Sequence, residues 1–154
     1  MVKTKNLIYY LKKMRKTKKK TVWSLIKKLD RIFSLYIRLK YSDKHGNCVC
    51  ISCWKKDYYK KMHNAHWISR GKIATRFEED NCRPACPACN TYRPEYHIRE
   101  FTLWQIKRLW QDWVDELIKK WNQLKRFKIW ELEELIDYYK KEVEKLKKEK
   151  LLKD

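Results

Sequence analysis

Two cysteine pairs, Cys50-x2-Cys53 and Cys86-x2-Cys89, stand in this 154-residue chain with 32 residues between them. Two such pairs can close one tetrahedral tetrathiolate site, which is how a small structural zinc module is built. Cys50-Ile51-Ser52-Cys53 reads as a zinc knuckle at the end of a short hairpin. Cys86-Pro87-Ala88-Cys89 reads as lying just before a helix start, where a proline lacking an N–H is tolerated. Cys48 and Cys82 exceed the four ligands required and are expected to be free thiols.

Every Cys, His, Gly and Pro falls between His45 and His97. Outside that window the sequence is a breaker-free mixture of Lys, Glu, Leu, Ile and aromatics, so an irregular centre between helical flanks is predicted. The expected fold class is α+β and mostly helical. Its parts are a basic arm (1–20), an N-terminal amphipathic helix (21–42), a zinc-supported module (43–100) and a C-terminal helical region (101–154). Apolar residues from Val22 to Ile37 recur at helical spacing and define the first helix, which a turn at Ser42–Asn47 ends. Leu103, Ile106, Trp110, Trp113, Val114, Leu117, Ile118, Trp121 and Leu124 form a second stripe, in which the tryptophans are expected to pack into the core. Leu132, Leu135, Ile136, Tyr139, Val143 and Leu146 form a third, opening in glutamates and closing in lysines as the helix macrodipole favours.

Lys and Arg number 39 against 19 Asp and Glu, a formal charge of +20. Each cation that neutralises a phosphate releases condensed counterions, so a nucleic acid is the first expected partner. No apolar run approaches the roughly 20 residues of a membrane span. Leu7–Leu11 is too short for a signal-peptide core. A reducing cytoplasm is the expected location, and there paired cysteines bind metal.

His66, Asn81 and Asn90 lie inside or against the cysteine clamp, and a zinc used only as a staple has no need of them. The expected order is a strand carrying His66, a turn at Gly71, a returning strand from Ile73 to Phe77, Asn81 in a loop, then Asn90 on a helix. Such a hairpin and helix can converge three polar side chains on one cleft. Phosphodiester hydrolysis needs this set of parts. A neutral imidazole takes a proton from water, a nearby oxygen fixes its tautomer, and a divalent cation neutralises charge on the phosphate. The Asn90 amide suits Mg2+, which keeps most of its waters. Arg70, Lys72 and Arg76 flank the proposed cleft as phosphate contacts. His45, His63 and His97 are expected to be surface or turn histidines, His63 alone being close enough to assist.

The run from Cys50 through Asn90 resembles the phage NinG/Rap family of recombination endonucleases. It carries Ala65-His66-Trp67-Ile68-Ser69-Arg70-Gly71, Thr75-Arg76-Phe77, Asn81 and Cys86-Pro87-Ala88-Cys89-Asn90. That family is similar in pattern to the zinc-supported HNH (ββα-metal) nucleases. Leu29–Arg38 likewise resembles the helix preceding the family's first cysteine pair. The resemblance implies a structure-specific DNA endonuclease acting on Holliday junctions and D-loops. It makes His66 the general base, Asn81 its orienting partner and Asn90 the ligand of a catalytic Mg2+ or Mn2+. Cys50, Cys53, Cys86 and Cys89 would hold a non-catalytic zinc. Ala65 stands where the wider HNH pattern often has a metal-binding aspartate, and Asn90 where it often has histidine. Cation binding would then rest on one amide and waters, helped by Asn64, His63 or Glu95. A four-way junction has approximate two-fold symmetry, so a homodimer built through the flanking helices is expected. A zinc-stabilised DNA-binding accessory without catalysis and a nuclease for linear duplex are the competing readings.

Overall fold

The computed structural model describes residues 20–108 and 111–152. The expected basic arm, apart from Lys20, and Trp110 lie outside the described residues. Helix α1 (Val22–Lys40) begins at an N-cap where Thr21 accepts from the Ser24 N–H and Ser24 accepts from the Thr21 N–H. This reciprocal box satisfies two amides that the first turn would otherwise leave unpaired. Two short antiparallel hairpins follow. In the first, β1 (Asn47–Val49) pairs with β2 (Lys56–Tyr58). In the second, β3 (His63–His66) pairs with β4 (Cys82–Ala85), His66 lying opposite Cys82. A π-type turn (Ala88–Tyr92) leads into α2 (Pro94–Arg108), followed by α3 (Gln111–Trp121) and α4 (Ile129–Glu149).

The core joins the two ends of the sequence. Leu25, Leu29, Phe33, Tyr36 and Ile37 of α1 are buried, as are Leu132, Ile136, Tyr139 and Val143 of α4. The Phe33 ring meets Tyr139 edge-on at 4.9 Å and Phe77 at 5.6 Å. A fully buried side chain of this size contributes about 2 kcal/mol, so a charge at Leu29 would separate the helices. At the far end, the Lys150 ammonium donates to the carbonyls of Leu39 and Ser42, adding to the bonds that the Ser42 N–H and hydroxyl make to the Leu39 carbonyl at the C-terminus of α1.

Five expectations are corrected. Ile73–Phe77 is a succession of turns, and Cys82–Ala85 is the returning strand. The N–H groups of Lys72, Thr75, Arg76 and Glu78 all bond carbonyls three residues back, which leaves them none for a ladder. The single stripe from Leu103 to Leu124 falls on two helices; Leu103 and Ile106 on α2 are exposed, while Val114 and Leu117 on α3 are buried. The boundary drawn at residue 100 also falls within α2. Tryptophan does not fill the core: none of the seven described indoles is buried, and Trp113 and Trp121 lie open on α3. His97 is buried beneath the knuckle, with its Nδ1 2.5 Å from the Ser52 hydroxyl.

Candidate metal centre and catalytic cleft

The knuckle Cys50–Cys53 forms the turn between β1 and β2, and the second cysteine pair leaves β4 for the π-type turn. The four sulfurs lie within 4.8 Å of one another, with Cys53 and Cys86 at 3.7 Å. Tetrahedral zinc with bonds of about 2.3 Å sets its sulfurs about 3.8 Å apart, so this cage fits that ion. Burial opposes ionisation of Cys50, but backbone N–H groups of Cys53, Cys86 and Ser52 directed at its sulfur bring its pKa below the usual thiol value. Beneath the cage the Tyr96 hydroxyl donates to the Ser52 carbonyl. Cys48 and Cys82 are free and buried, and burial pushes the Cys48 thiol up to about 11.

His66 ends β3, and its Nε2 lies 3.0 Å from the Arg76 carbonyl. A carbonyl only accepts, so Nε2 carries the proton and Nδ1 of the neutral ring carries a free lone pair. Burial lowers the His66 pKa below 6.5. The Arg70 and Arg76 charges lower it further, while the Arg76 carbonyl and Asp30 act in the opposite sense.

Asn81 makes no hydrogen bond to the His66 ring. Its fully buried amide accepts from the Ile68 N–H at 2.7 Å and donates to the carbonyls of Ile68 and Thr75. Those bonds fasten both ends of the Ile68–Thr75 loop, and the next residue is Arg76, whose carbonyl holds His66. Asn81 therefore bears on the imidazole through the loop and through its own carbonyl, which accepts from the Trp67 N–H.

Asn90 sits in the π-type turn ahead of α2, its amide 3.3 Å from His63 Nδ1. His63 and His66 occupy opposite ends of β3, about 10 Å apart along the strand. The structure thus joins Asn81 to the His66 loop and Asn90 to His63, with no hydrogen bond among the side chains of the three expected residues.

Of the expected phosphate contacts, Arg70 and Lys72 are exposed. Arg76 is not available: it is buried, with a bidentate pair to Asp30 at 2.8 and 2.5 Å and a further bond to the Arg70 carbonyl. Packing of the loop onto α1 draws it inward. An open groove of about 580 Å³ beside it is lined by Lys27, Asp30, Arg31, Ser34, Arg38 and Arg70. Sequence reasoning missed this groove, although positions 27, 31, 34 and 38 recur at the spacing of one helix face.

The family model described as NinG, the bacteriophage lambda NinG protein, matches residues 6–149. The chain belongs to the NinG family. This is a phage, recombination-related family, and the match takes in both cysteine pairs, His66, Asn81, Asn90 and the flanking helices. No curated protein and no solved structure matches the chain. No helix among the described residues is long and apolar enough to cross a membrane.

Proposed function

We propose that this NinG-family chain is a structure-specific endonuclease that hydrolyses phosphodiesters in branched DNA such as Holliday junctions and D-loops. The observation that carries this reading is the state of His66: a half-buried, neutral imidazole with its Nε2 proton fixed on a backbone carbonyl and Nδ1 left to accept. That is what a general base near neutral pH requires.

In the proposed reaction Nδ1 removes a proton from a water, whose oxygen attacks phosphorus. The bond from phosphorus to the departing ester oxygen breaks, and that oxygen takes a proton from solvent. A hydrated Mg2+ or Mn2+ would offset charge on the phosphate; Asn90 and His63, at the other end of β3 from His66, would hold it through its waters rather than directly. Asn81 is a positioning residue, since it fastens the loop that fixes His66. The tetrathiolate zinc is structural. Lys27, Arg31 and Arg70 supply a phosphate track along the outer face of α1, and Lys72 extends the basic surface across the loop. A second copy would bring a second site to a two-fold junction. Exposed Leu103, Ile106, Trp113, Ile118 and Trp121 give α2 and α3 apolar surface with which to meet it.

The test is cleavage of a synthetic four-way junction against linear duplex in Mg2+ and Mn2+, wild type beside His66→Ala, with light scattering on the junction complex. The proposal expects junction cutting by the wild type alone and two protomers per junction. Tight junction binding without cutting in either metal would make the chain a zinc-stabilised accessory. Equal cutting of linear duplex would remove the branched substrate.

A further inference from the structure

Trp54 has φ of 62°, in the left-handed region where an L side chain crowds its own backbone. It follows Cys53 and closes the knuckle, its N–H bonded to the Cys50 carbonyl at 3.0 Å. Glycine takes this conformation without steric cost. An indole stands here instead, with 66% of its surface exposed, so core burial does not offset the strain. Strain retained on an exposed side chain points to a use for that side chain.

Beside the indole lies a pocket of about 170 Å³ whose walls include Tyr41, Val49, Ile51, Trp54, Arg83 and Trp104. The Arg83 guanidinium lies between the Tyr41 and Trp104 rings, 4.2 and 4.5 Å from their centroids. Its Nη1 donates to the carbonyls of Glu79 and Cys82, and Nη2 is 3.8 Å from the Asp80 carboxylate. Nε and Nη2 are buried with no hydrogen-bond partner. Buried donors left unpaired are destabilising, and an acceptor brought by a ligand would relieve them.

We propose that Trp54, Tyr41, Trp104 and Arg83 form a receptor for one unstacked nucleobase, guanine preferred, displaced from the duplex where strands branch. This rests on the branched-DNA reading above. The pocket is smaller than those that take drug-sized ligands, which suits a single heterocycle. An aromatic face stacks on any base, and the exposed Trp54 indole presents one, while the Tyr41 and Trp104 rings hold the guanidinium in place. Preference for guanine follows from Arg83, because guanine O6 and N7 accept from two guanidinium donors where adenine offers one acceptor and one donor. Paired bases cannot enter; bases at bulges and branch points can. Arg83 lies opposite Ala65 in the β3–β4 register, one residue from His66, whose side chain alternates to the other face, so a base held there would sit across the hairpin from the cleft.

The test uses the full, zinc-loaded chain in buffer without Mg2+, Mn2+ or chelator. Fluorescence anisotropy would compare duplexes carrying one bulged guanine, one bulged adenine, an abasic bulge, or no bulge. Wild type should bind the guanine bulge about tenfold more tightly than the abasic bulge, with adenine between them. Trp54→Ala should bind all three bulges as wild type binds the abasic one, with affinity for perfect duplex unchanged. Trp54→Gly, which removes the strain, should lose the discrimination with a melting temperature no lower than wild type, and Trp54→Phe should keep part of it. Equal wild-type affinity for guanine and abasic bulges would overturn the pocket while leaving junction cleavage standing. Discrimination unchanged in Trp54→Ala would do the same. No binding to any of these DNAs would overturn the pocket and the DNA reading together.

Discussion

Two irregular regions flank the β3–β4 hairpin, and they are held by different means. On one side, the knuckle and the turn after β4 converge through four cysteine sulfurs, with few apolar side chains of their own between them. On the other, the stretch from Ile68 to Asn81 has no metal ligand. It is fastened by one buried amide, by the Arg76–Asp30 pair and by Phe77 against Phe33. A metal cage is all-or-none, while a hydrogen-bonded loop can be loosened one bond at a time. The proposed base depends on the second kind of hold, so its orientation can be perturbed without unfolding the module.

Removing the metal should have the largest effect. Structural zinc contributes on the order of 10 kcal/mol in small modules. Stripping it with a strong chelator, or Cys86→Ser, should abolish near-ultraviolet dichroism from the centre while α1 and α4 keep helical signal. A cooperative melt unchanged by chelation would show that the cage holds nothing. Asn81→Ala comes next. It leaves the Ile68 N–H and the Ile68 and Thr75 carbonyls without their partner, at about 3 kcal/mol by urea unfolding. Cleavage should fall with it, and the melt should stay cooperative.

Arg76→Ala should cost about 2 kcal/mol, because the largely buried Asp30 loses its bidentate partner and keeps only the longer bond from Arg70 at 3.3 Å. It also carries a signature that stability alone cannot give. The Arg76 charge lowers the His66 pKa and Asp30 raises it, so removing the arginine should move the His66 titration upward. In wild type the base is active when neutral: the single-turnover rate should rise with pH to a midpoint below 6.5 and be flat above it. In Arg76→Ala that midpoint should be higher. Identical profiles would detach Arg76 from the imidazole. The smallest effect is expected of Lys27→Ala or Arg31→Ala. Each should weaken DNA binding about equally for all sequences and reduce its salt dependence by about one counterion.

The cysteine spacing made the metal centre legible, because tetrathiolate geometry leaves a knuckle few alternatives. Helical periodicity gave α1 to within a residue or two, and for α4 it gave the apolar stripe from Leu132 to Leu146 within the longer helix, since each buries one continuous stripe. The loop was misread because Ile73–Phe77 is apolar enough for a strand. Its actual conformation is dictated by Asn81, a single side chain whose three bonds propensity cannot anticipate. Arg76 and His97 were misassigned for a related reason: a charged or titratable residue looks exposed until its partner, Asp30 or Ser52, is brought from a distant segment. The tryptophans erred in the opposite direction. Apolar spacing put them inside, yet the short helices present them outward. Asn90 and His66, expected in one cleft, meet different ends of β3, a separation that spacing along the chain does not encode.

The most direct test of the account is a paired measurement on one four-way junction: binding and Mn2+-dependent single-turnover cleavage by wild type and His66→Ala. The prediction is equal junction affinity, equal melting temperature and a loss of at least about 100-fold in cleavage rate, as expected when a general base is removed. Cleavage by His66→Ala at the wild-type rate would contradict it, and the free Nδ1 at the end of β3 would then have no part in the chemistry.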